Sequence, residues 1–341
     1  MLLPVFSFTE SAVFLFQGKP KCMAAIPIWK DKVIDLGAAS SLFRIRAGAD
    51  TIYNGKAVAR PGEANAKVRI NDICADFLVN ALPTITDRTF TSFALLDFYV
   101  GKSSDGISWT EFPAVKFYND WSYDYGFTGN VLSDPINGKV TADMFILYSA
   151  KEISGSIAAT YEKTDGTSTA RTTTISPTPA YGTCCFDVGA VSDTKRVVLS
   201  GTYYPVVADC YKFALYYVNA YGGWDHLLVE GNDMETDSLE RHIREQEYDN
   251  TNIVNRGKVN YVNEVTKSWT LNTGLLNDDE ASRMHHLINS PMVYLCLIAS
   301  STFIPVVVTT NTCEYKTYKN QGNRMFNYQL GIELAQNRIR R

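Results

Sequence analysis

Two aspartates beside aromatic residues form the first pattern in this sequence that could support chemistry. Asp120 and Asp124 flank Trp121 and Tyr123 in the segment NDWSYD. A glycosidase needs such a pair of carboxyl groups, one to protonate the leaving oxygen and one to attack the sugar or activate water. The same residues suit a turn in which Asp side chains accept backbone N–H groups and the tryptophan anchors the core. Because no further acidic partner is identifiable, we favour the turn and predict no catalytic residue.

Histidine and cysteine pairs are the next candidates, because both residue types bind metal ions. His285 and His286 are adjacent on a predicted helix, so their side chains point about 100° apart and cannot share one metal ion without a strained backbone. Cys184 and Cys185 could form a vicinal disulfide or bind a soft metal, but buried small hydrophobic residues explain them more simply. We therefore predict one partly buried histidine, one solvated histidine and no metal site.

An alternating acidic segment has the spacing of calcium ligands. Asp233, Glu235 and Asp237 match the first positions of a calcium-binding loop. The EF-hand pattern would then require glycine where this chain has Ser238 and glutamate where it has Arg244, so the match fails. We interpret the segment as a solvated acidic loop.

One predicted turn carries a tryptophan that could bind a sugar. The segment SSDGISW at 103–109 is similar to the S-x-D-G-x-x-W hairpins of discoidin-like carbohydrate-binding sandwiches. In those modules the turn mainly positions a structural tryptophan, so the similarity implies a β-sandwich before it implies a sugar ligand. A carbohydrate-binding β-sandwich module, receptor-binding or surface-exposed, that uses Trp109 and Trp121 is the alternative to the function developed below.

The composition excludes several functional classes. The 341 residues are 45% hydrophobic and 12% aromatic, which excludes global disorder and allows two or three domains with their own cores. The formal charge of −4 disfavours binding of duplex DNA through a basic patch. The sequence contains no nucleophile elbow, phosphate-binding loop, HExxH motif or dinucleotide fingerprint. We predict that the protein is not an enzyme and has no catalytic, cofactor-binding or metal-binding residues and no cofactor.

Cysteine usage and hydropathy bear on the compartment. The seven cysteines show neither the spacing of a disulfide framework nor a C-x-x-C pair, which indicates free thiols in a reducing cytoplasm. The apolar N-terminus has no positively charged segment and is interrupted by Pro4 and Glu10, which argues against a cleaved signal peptide. The uncharged stretch 291–313 contains Pro305 and β-branched runs. We therefore predict two buried strands there rather than a membrane helix, and no membrane partner.

Most of the chain has the pattern of β-strands, and we divide it into three β-rich domains. The first, 1–88, contains a hairpin at 12–29 and a second hairpin at 43–60, in which the Asn-Gly pair at 54–55 supplies a type I′ turn. A short helix follows, which Asn71 could cap.

The middle domain, 89–183, contains a hairpin around 103–106 and a strand at 144–150. Its last part, 151–183, is rich in Thr, Ser and Pro and poor in large aliphatic residues. Such a segment is either a loop or linker, or an exposed hairpin, and we favour the loop or linker.

The C-terminal domain, 184–341, has the order strand, helix, strand, strand, strand, which predicts an antiparallel sandwich with one amphipathic helix packed on it. The helix is expected at 278–289 and carries its apolar side chains on one face. The last strand alternates apolar and polar residues, which predicts one buried face made of Phe326, Tyr328, Leu330, Ile332 and Leu334. The charged stretch 234–250 fits a helix, an edge strand or an arm equally well.

A resemblance to a known group of proteins rests chiefly on the C-terminal half of the chain. Similarity to virion structural proteins of tailed phages that infect Bacteroidetes, including the crAss-like group, is carried by YYVNAYGGWD, TDSLERH, RGKVNYVNEVTKSWTLNTGLLNDDEASRMHHLINSPMVYL, FIPVVVTTNTCEYKTYKNQG and FNYQLGIELAQNRIRR. The segment FYNDWSYD resembles the middle of the same proteins. The shared features are aromatic residues, turns and one helix, with no catalytic motif.

The resemblance implies a non-enzymatic structural subunit of a phage tail or neck, located in the virion after assembly in the host cytoplasm. Several copies would form a homo-oligomeric ring, stacked with adjacent ring, portal or tail proteins around the DNA channel, with passing contact to genomic DNA. The stretches 151–183 and 234–258 are candidate arms toward neighbouring subunits. The basic terminus could stay solvated, reach a neighbour's acidic surface or contact nucleic acid; it comprises Arg338, Arg340 and Arg341.

Overall fold

The computed structural model describes most of the chain beyond its first 25 residues. The described stretches are 26–80, 85–86, 89–90, 96–118, 120–122, 131–133, 138–153, 156–174, 180–207, 211–229, 233–245, 258–276, 278–312, 327–336 and 338–340. The hairpin predicted at 12–29 therefore lies outside the described residues apart from its last four positions.

The described residues form a mainly β protein in which antiparallel sheets predominate, which confirms the predicted fold class. The first ten strands are β1 Ile26–Pro27, β2 Val33–Asp35, β3 Ser40–Ala47, β4 Asp50–Val58, β5 Lys67–Arg69, β6 Ile85–Thr86, β7 Thr89–Phe90, β8 Leu96–Ser103, β9 Thr110–Glu111 and β10 Val115–Tyr118. The next six are β11 Phe145–Ile153, β12 Ser156–Lys163, β13 Ser168–Thr174, β14 Ala180–Asp187, β15 Thr194–Leu199 and β16 Thr202–Pro205. The last eight are β17 Phe213–Val218, β18 Trp224–Val229, β19 Met234–Glu245, β20 Lys258–Asn272, β21 Val293–Leu297, β22 Thr302–Val308, β23 Gln329–Leu334 and β24 Arg338–Arg340. The helices are α1 Asn71–Asn80 and α2 Asp278–Ile288.

The N-terminal core lies between α1 and a sheet of order β1-β10-β8-β3-β4, with β9 beside β8. Phe98 of β8 contacts Phe77 of α1 edge-on, with ring centroids 6.2 Å apart, and Phe117 of β10, with centroids 5.8 Å apart. The predicted domain boundary at residue 88 falls inside this unit. The β3–β4 hairpin leaves one edge of β3 unpaired, and β8 completes that edge, so the same core continues to Phe117.

The turn predicted at Asn54-Gly55 is wrong. The β3–β4 hairpin turns at 48–49 instead, where Gly48 has a φ of +59°, and positions 54–55 lie inside β4 opposite Arg44 and Phe43. Gly55 serves packing there. A Cβ on Gly55 would lie 2.9 Å from the ring of Phe43 and 2.7 Å from the ring of Tyr53, two rings whose centroids are 5.5 Å apart.

The short helix predicted after Asn71 is confirmed as α1, but the Asn71 side chain has a different role from a simple cap. It is buried, its Oδ1 accepts the backbone N–H of Lys32 at 2.5 Å, and its Nδ2 donates to the carbonyl oxygens of Ile28, at 2.8 Å, and Lys30. Asn71 therefore fixes the segment before β2 against the start of α1.

The loop or linker favoured for 151–183 is wrong, and the hairpin alternative describes the segment. Strands β12 and β13 pair along seven residues and turn at Asp165-Gly166, where the glycine has a φ of +83°. Tyr161 and Ala159 are buried in a sheet of order β13-β12-β15-β16. The predicted boundary at residue 183 likewise falls inside β14, which pairs with β11. Threonine-rich sequence suits this exposed sheet because β-branched residues pack well on a pleated surface.

The C-terminal region is built on an eight-stranded sheet of order β18-β17-β21-β22-β23-β20-β19, with β24 beside β20. One face packs against α2, and the opposite face packs against the strands β11 to β16, so this part is a β-sandwich with a helix on its outer side. Tyr216 joins the two layers, because its hydroxyl lies 3.0 Å from both the amide nitrogen and the carbonyl oxygen of Phe145.

The predicted helix at 278–289 is confirmed as α2, and its apolar residues Met284 and Leu287 are buried. The two strands predicted at 291–313 are confirmed as the antiparallel pair β21 and β22. In the last strand Leu330 and Ile332 are buried as predicted, whereas Phe326 lies outside the described residues. Within the described residues, no helix combines the length and apolarity required to cross a membrane.

Candidate functional site

The carboxylate of Asp120 stabilises a turn. Its Oδ1 accepts the indole N–H of Trp29 at 3.2 Å, the backbone N–H of Ser122 at 2.8 Å and the Ser122 hydroxyl at 2.7 Å. The residue is only 1% exposed, so its carboxylate is closed to a substrate. Its proposed partner, Asp124, lies outside the described residues. The contacts of Asp120 are those of the turn interpretation, but the expectation that Trp121 anchors the core is wrong, because the residue is exposed.

The tryptophan of the 103–109 turn packs on the sheet beneath it. The Arg44 guanidinium lies over the Trp109 ring, 4.6 Å from its centroid, and a Cβ on Gly101 would lie 3.4 Å from the same ring. Trp121, the other candidate for sugar binding, is 38% exposed. Its backbone N–H donates to the carbonyl of Ala220 at 2.6 Å, which joins it to the β17–β18 turn.

The turn itself is held by Asp105. Its Oδ1 accepts the backbone N–H groups of Ile107 and Ser108, both at 2.9 Å, and the Ser103 hydroxyl at 2.8 Å. These hydrogen bonds lower the pKa of the Asp105 carboxyl to about 2, and the two from the backbone of Ser108 and Ile107 have the largest effects. The predicted hairpin around 103–106 is therefore a self-contained Asx-type turn between β8 and β9.

The histidine pair on α2 behaves as predicted. His285 is exposed, and His286 is half-buried and accepts the backbone N–H of Ala220 at its Nδ1, 3.2 Å away. The two rings stand at 89° to each other. Cys184 and Cys185 are free thiols, and burial raises their pKa to about 11 and about 12. Across the part of the chain that the structure describes, no group of three His, Cys, Asp or Glu residues could hold a metal ion.

The alternating acids lie on a strand, so the solvated loop predicted for them is wrong. Glu235 and Asp237 belong to β19, and Asp233 directly precedes it, 3.6 Å from the amine of Lys212. Glu235 forms an ion pair with Lys267 and accepts the indole N–H of Trp269 at 3.2 Å. The hydrogen bond from Lys267, which is the largest cause, lowers the pKa of Glu235.

Sequence reasoning missed a buried polar cluster between β18 and α2. The His226 ring lies between the rings of Tyr204 and Tyr216, with centroids 5.9 Å away in both cases, and hydrogen-bonds the backbone of Lys139. The Nη1 of Arg283 lies 3.5 Å from the His226 carbonyl oxygen. Burial, and to a lesser degree the charge of Arg283, lower the His226 pKa to about 3, so this histidine is neutral.

The space beside this cluster is small. A cavity of about 10 Å³ is lined by Gly138, His226, Glu280 and Arg283 together with three leucines, which is room for about one water molecule. A Cβ on Gly138 would lie 2.7 Å from Nη1 of Arg283, so a side chain at this position would displace the guanidinium. The cluster therefore joins distant segments of the chain and has no space for an organic substrate.

An exposed edge of the C-terminal sheet forms a β-arm, which we define as β19 together with residues 258–267 of β20. These strands pair antiparallel over the full length of β19; one register runs from Met234 to His242, and it shifts by one residue between His242 and Ile243. Large apolar side chains are exposed on the arm: Met234, Leu239, Ile243 and Tyr261. For residues 234–245 the interpretation as an edge strand or arm is therefore the one that the structure supports, and the helical alternative is wrong there; residues 246–250 lie outside the described part of the chain.

The basic C-terminus joins the arm. Strand β24 pairs antiparallel with β20, with Arg338 opposite Val265 and Arg340 opposite Asn263. Arg341 lies outside the described residues. The backbone of this segment is thus part of the sheet. Comparison with protein-family models, with curated proteins and with solved structures finds no match to this chain.

Proposed function

We propose that this chain is a non-enzymatic structural subunit of a phage tail or neck, which forms a homo-oligomeric ring stacked with other ring or portal-proximal proteins around the DNA channel. The observation that carries the proposal is the β-arm. It extends a well-packed sandwich by a 12-residue edge strand with exposed apolar side chains, as expected of a subunit that neighbours complete.

The polar side chains of the sandwich support the same proposal. Asp120 holds a turn, Glu235 holds Lys267 and Trp269 together, and His226 is buried and neutral. Each group is engaged in structure, which suits a building block. The virion and the tail or neck position rest on the resemblance of the sequence to phage structural proteins.

Light scattering coupled to size exclusion, followed by negative-stain electron microscopy, tests the ring. We expect a discrete closed oligomer, alone or together with its neighbouring virion proteins, and the chain should be detected by mass spectrometry in purified phage particles that encode it. A chain that stays monomeric with those proteins present and is missing from the particles would refute the proposal.

The exposed ring of Trp121 favours one alternative, a carbohydrate-binding module that serves as a receptor-binding or surface protein. A glycan array separates the two functions. Binding that is lost with Trp121→Ala and retained with Trp109→Ala, whose ring is covered by Arg44, would support the alternative. If the protein binds no glycan on the array, the carbohydrate-binding alternative is refuted.

A further inference from the structure

We propose that two copies of this chain pair through the outer edge of β19, antiparallel and in a register centred on Leu239, so that the eight-stranded sheet continues from one copy into the other. This contact obeys a two-fold axis. It differs in symmetry from the heterologous contacts that close a ring, and it names the occupant of the same β19 edge on which the proposed function rests.

The first argument is that β19 is the available edge of the sheet. Its 12 residues are paired with β20 on one side, and the described residues provide no strand on the other side. The opposite edge, β18, is closed, because all six of its residues are buried and it packs beside β11. An exposed edge of this length presents a row of backbone donors and acceptors that a second strand satisfies.

The second argument is the distribution of charge along β19. Acidic Glu235 and Asp237 lie in its first half, and both of its arginines, Arg241 and Arg244, lie in its second half together with Glu240 and Glu245. Antiparallel pairing of a strand with its own copy brings the first half of each against the second half of the other. The acids of the first half then meet the arginines of the second half only in particular registers.

The third argument is that one register satisfies both the charges and the apolar residue. In a two-fold pairing centred on Leu239, that side chain meets its own copy, and Asp237 of each copy faces Arg241 of the other. Leu239 is half-exposed in the isolated chain and becomes covered. Two opposite-charge pairs then flank one apolar pair on the same face of the sheet.

Neighbouring registers are worse for stated reasons. Centring on Asp237, Glu240 or Arg241 places two like charges directly opposite each other, which is destabilising. Centring on Ser238 places apolar Leu239 against the Asp237 carboxylate. The register centred on Ser238 also pairs Glu235 with Arg241, but among registers centred on residues 237 to 241 only the one centred on Leu239 combines opposite-charge pairs with an apolar pair at the axis.

A charge-swap experiment tests the pairing with the full-length chain. Asp237→Arg and Arg241→Asp each replace two attractive contacts by two repulsive ones, so each should raise the dimer dissociation constant at least about tenfold in analytical ultracentrifugation. An equimolar mixture of the two variants should restore dimers, because each Arg at 237 then faces an Asp at 241 and the reverse. Glu240→Arg and Arg244→Asp are matched controls for the charge change, and they should have smaller effects.

Cysteine cross-linking tests the register independently. Leu239→Cys places two thiols at the two-fold axis, at the separation of directly paired residues, where mild oxidation should produce a covalent dimer. In this register each Ser238 lies opposite Glu240 of the other copy, two positions away from the other Ser238. Ser238→Cys should therefore not cross-link, and neither should the parent chain.

The outcomes are distinguishable. Recovery of dimers in the equimolar mixture of Asp237→Arg and Arg241→Asp, together with the Leu239→Cys cross-link, supports the two-fold pairing. A parent chain without a dimer, or dimers that resist both charge reversals, overturns it. If both reversals weaken an oligomer that the mixture does not restore, β19 docks on a different strand of its neighbour and the two-fold pairing is wrong. A ring seen by microscopy that is indifferent to these variants would leave the proposed function intact and still overturn this inference.

Discussion

Replacing His226 by phenylalanine should remove a defined part of the pH dependence of stability. The ring of His226 is buried between Tyr204 and Tyr216, and burial lowers its pKa to about 3. In the unfolded chain the same imidazole has a pKa of about 6.5. Below about pH 6.5 the unfolded state therefore binds a proton that the folded state does not, and stability falls as the pH falls.

The magnitude follows from the two pKa values. Each pH unit between them contributes about 1.4 kcal/mol, so the folded state loses about 2 kcal/mol from His226 alone between about pH 7.5 and about pH 5. Above about pH 6.5 the group is neutral in both states and contributes no pH dependence. Phenylalanine keeps a ring of similar size between the two tyrosines and cannot take up a proton.

Urea unfolding of the parent chain and of His226→Phe, followed by fluorescence and far-ultraviolet circular dichroism at both pH values, measures this difference. The parent should lose about 2 kcal/mol more than the variant on acidification. His285→Gln is the control, because His285 is exposed, and it should keep the parent's pH dependence. Equal pH dependence in the parent chain and His226→Phe would refute the buried, neutral state of His226.

Three further predictions concern the packing of the fold. Gly223→Ala should destabilise the protein by about 3 kcal/mol in urea unfolding, because its Cβ would lie 2.5 Å from the backbone oxygen of Leu132, and an unchanged unfolding midpoint would contradict this close approach. Asn71→Ala should cost about 3 kcal/mol, since it orphans buried backbone groups before β2, whereas the control Asn65→Ala, which removes one exposed hydrogen bond to Asp35, should cost less than about 0.5 kcal/mol, and equal costs would contradict the assigned role. Burial raises the pKa of the Cys74 thiol to about 12, so iodoacetamide at mildly alkaline pH should modify Cys74 only after denaturation. Rapid modification of Cys74 itself in the native protein, located by peptide mass spectrometry, would contradict the packing of α1.

Local patterns in the chain were sufficient for α2 and for the last strands, and for the faces that these elements bury. The apolar spacing of α2 predicted that Met284 and Leu287 would be buried, and the alternation of the last strand predicted the same for Leu330 and Ile332. Such predictions succeed because helix and strand periods determine which side chains share a face, whatever the partner is.

Turns and loops are harder to assign from the sequence than helices and strands, because one short pattern fits more than one structural environment. The Asn-Gly pair at 54–55 lies within β4, where the Phe43 ring requires a glycine, and the reversal occurs at Gly48. The Thr-rich stretch at 151–183 was interpreted as a loop, although the Asp-Gly pair at 165–166 is a hairpin signal that could have identified β12 and β13.

The buried polar cluster and the open edge depended on contacts between distant parts of the chain. His226 is neutral because Tyr204, Tyr216 and Arg283 surround it, and nothing in the run WDHLLV indicates those neighbours. Likewise, the charges of β19 are readable in the chain, but their place on an unpaired edge follows from the order of the strands in the sheet. Periodicity is a local property of a sequence, whereas burial, strand order and free edges arise only when remote segments pack together, and in this protein the surfaces open to partners belong to that second kind.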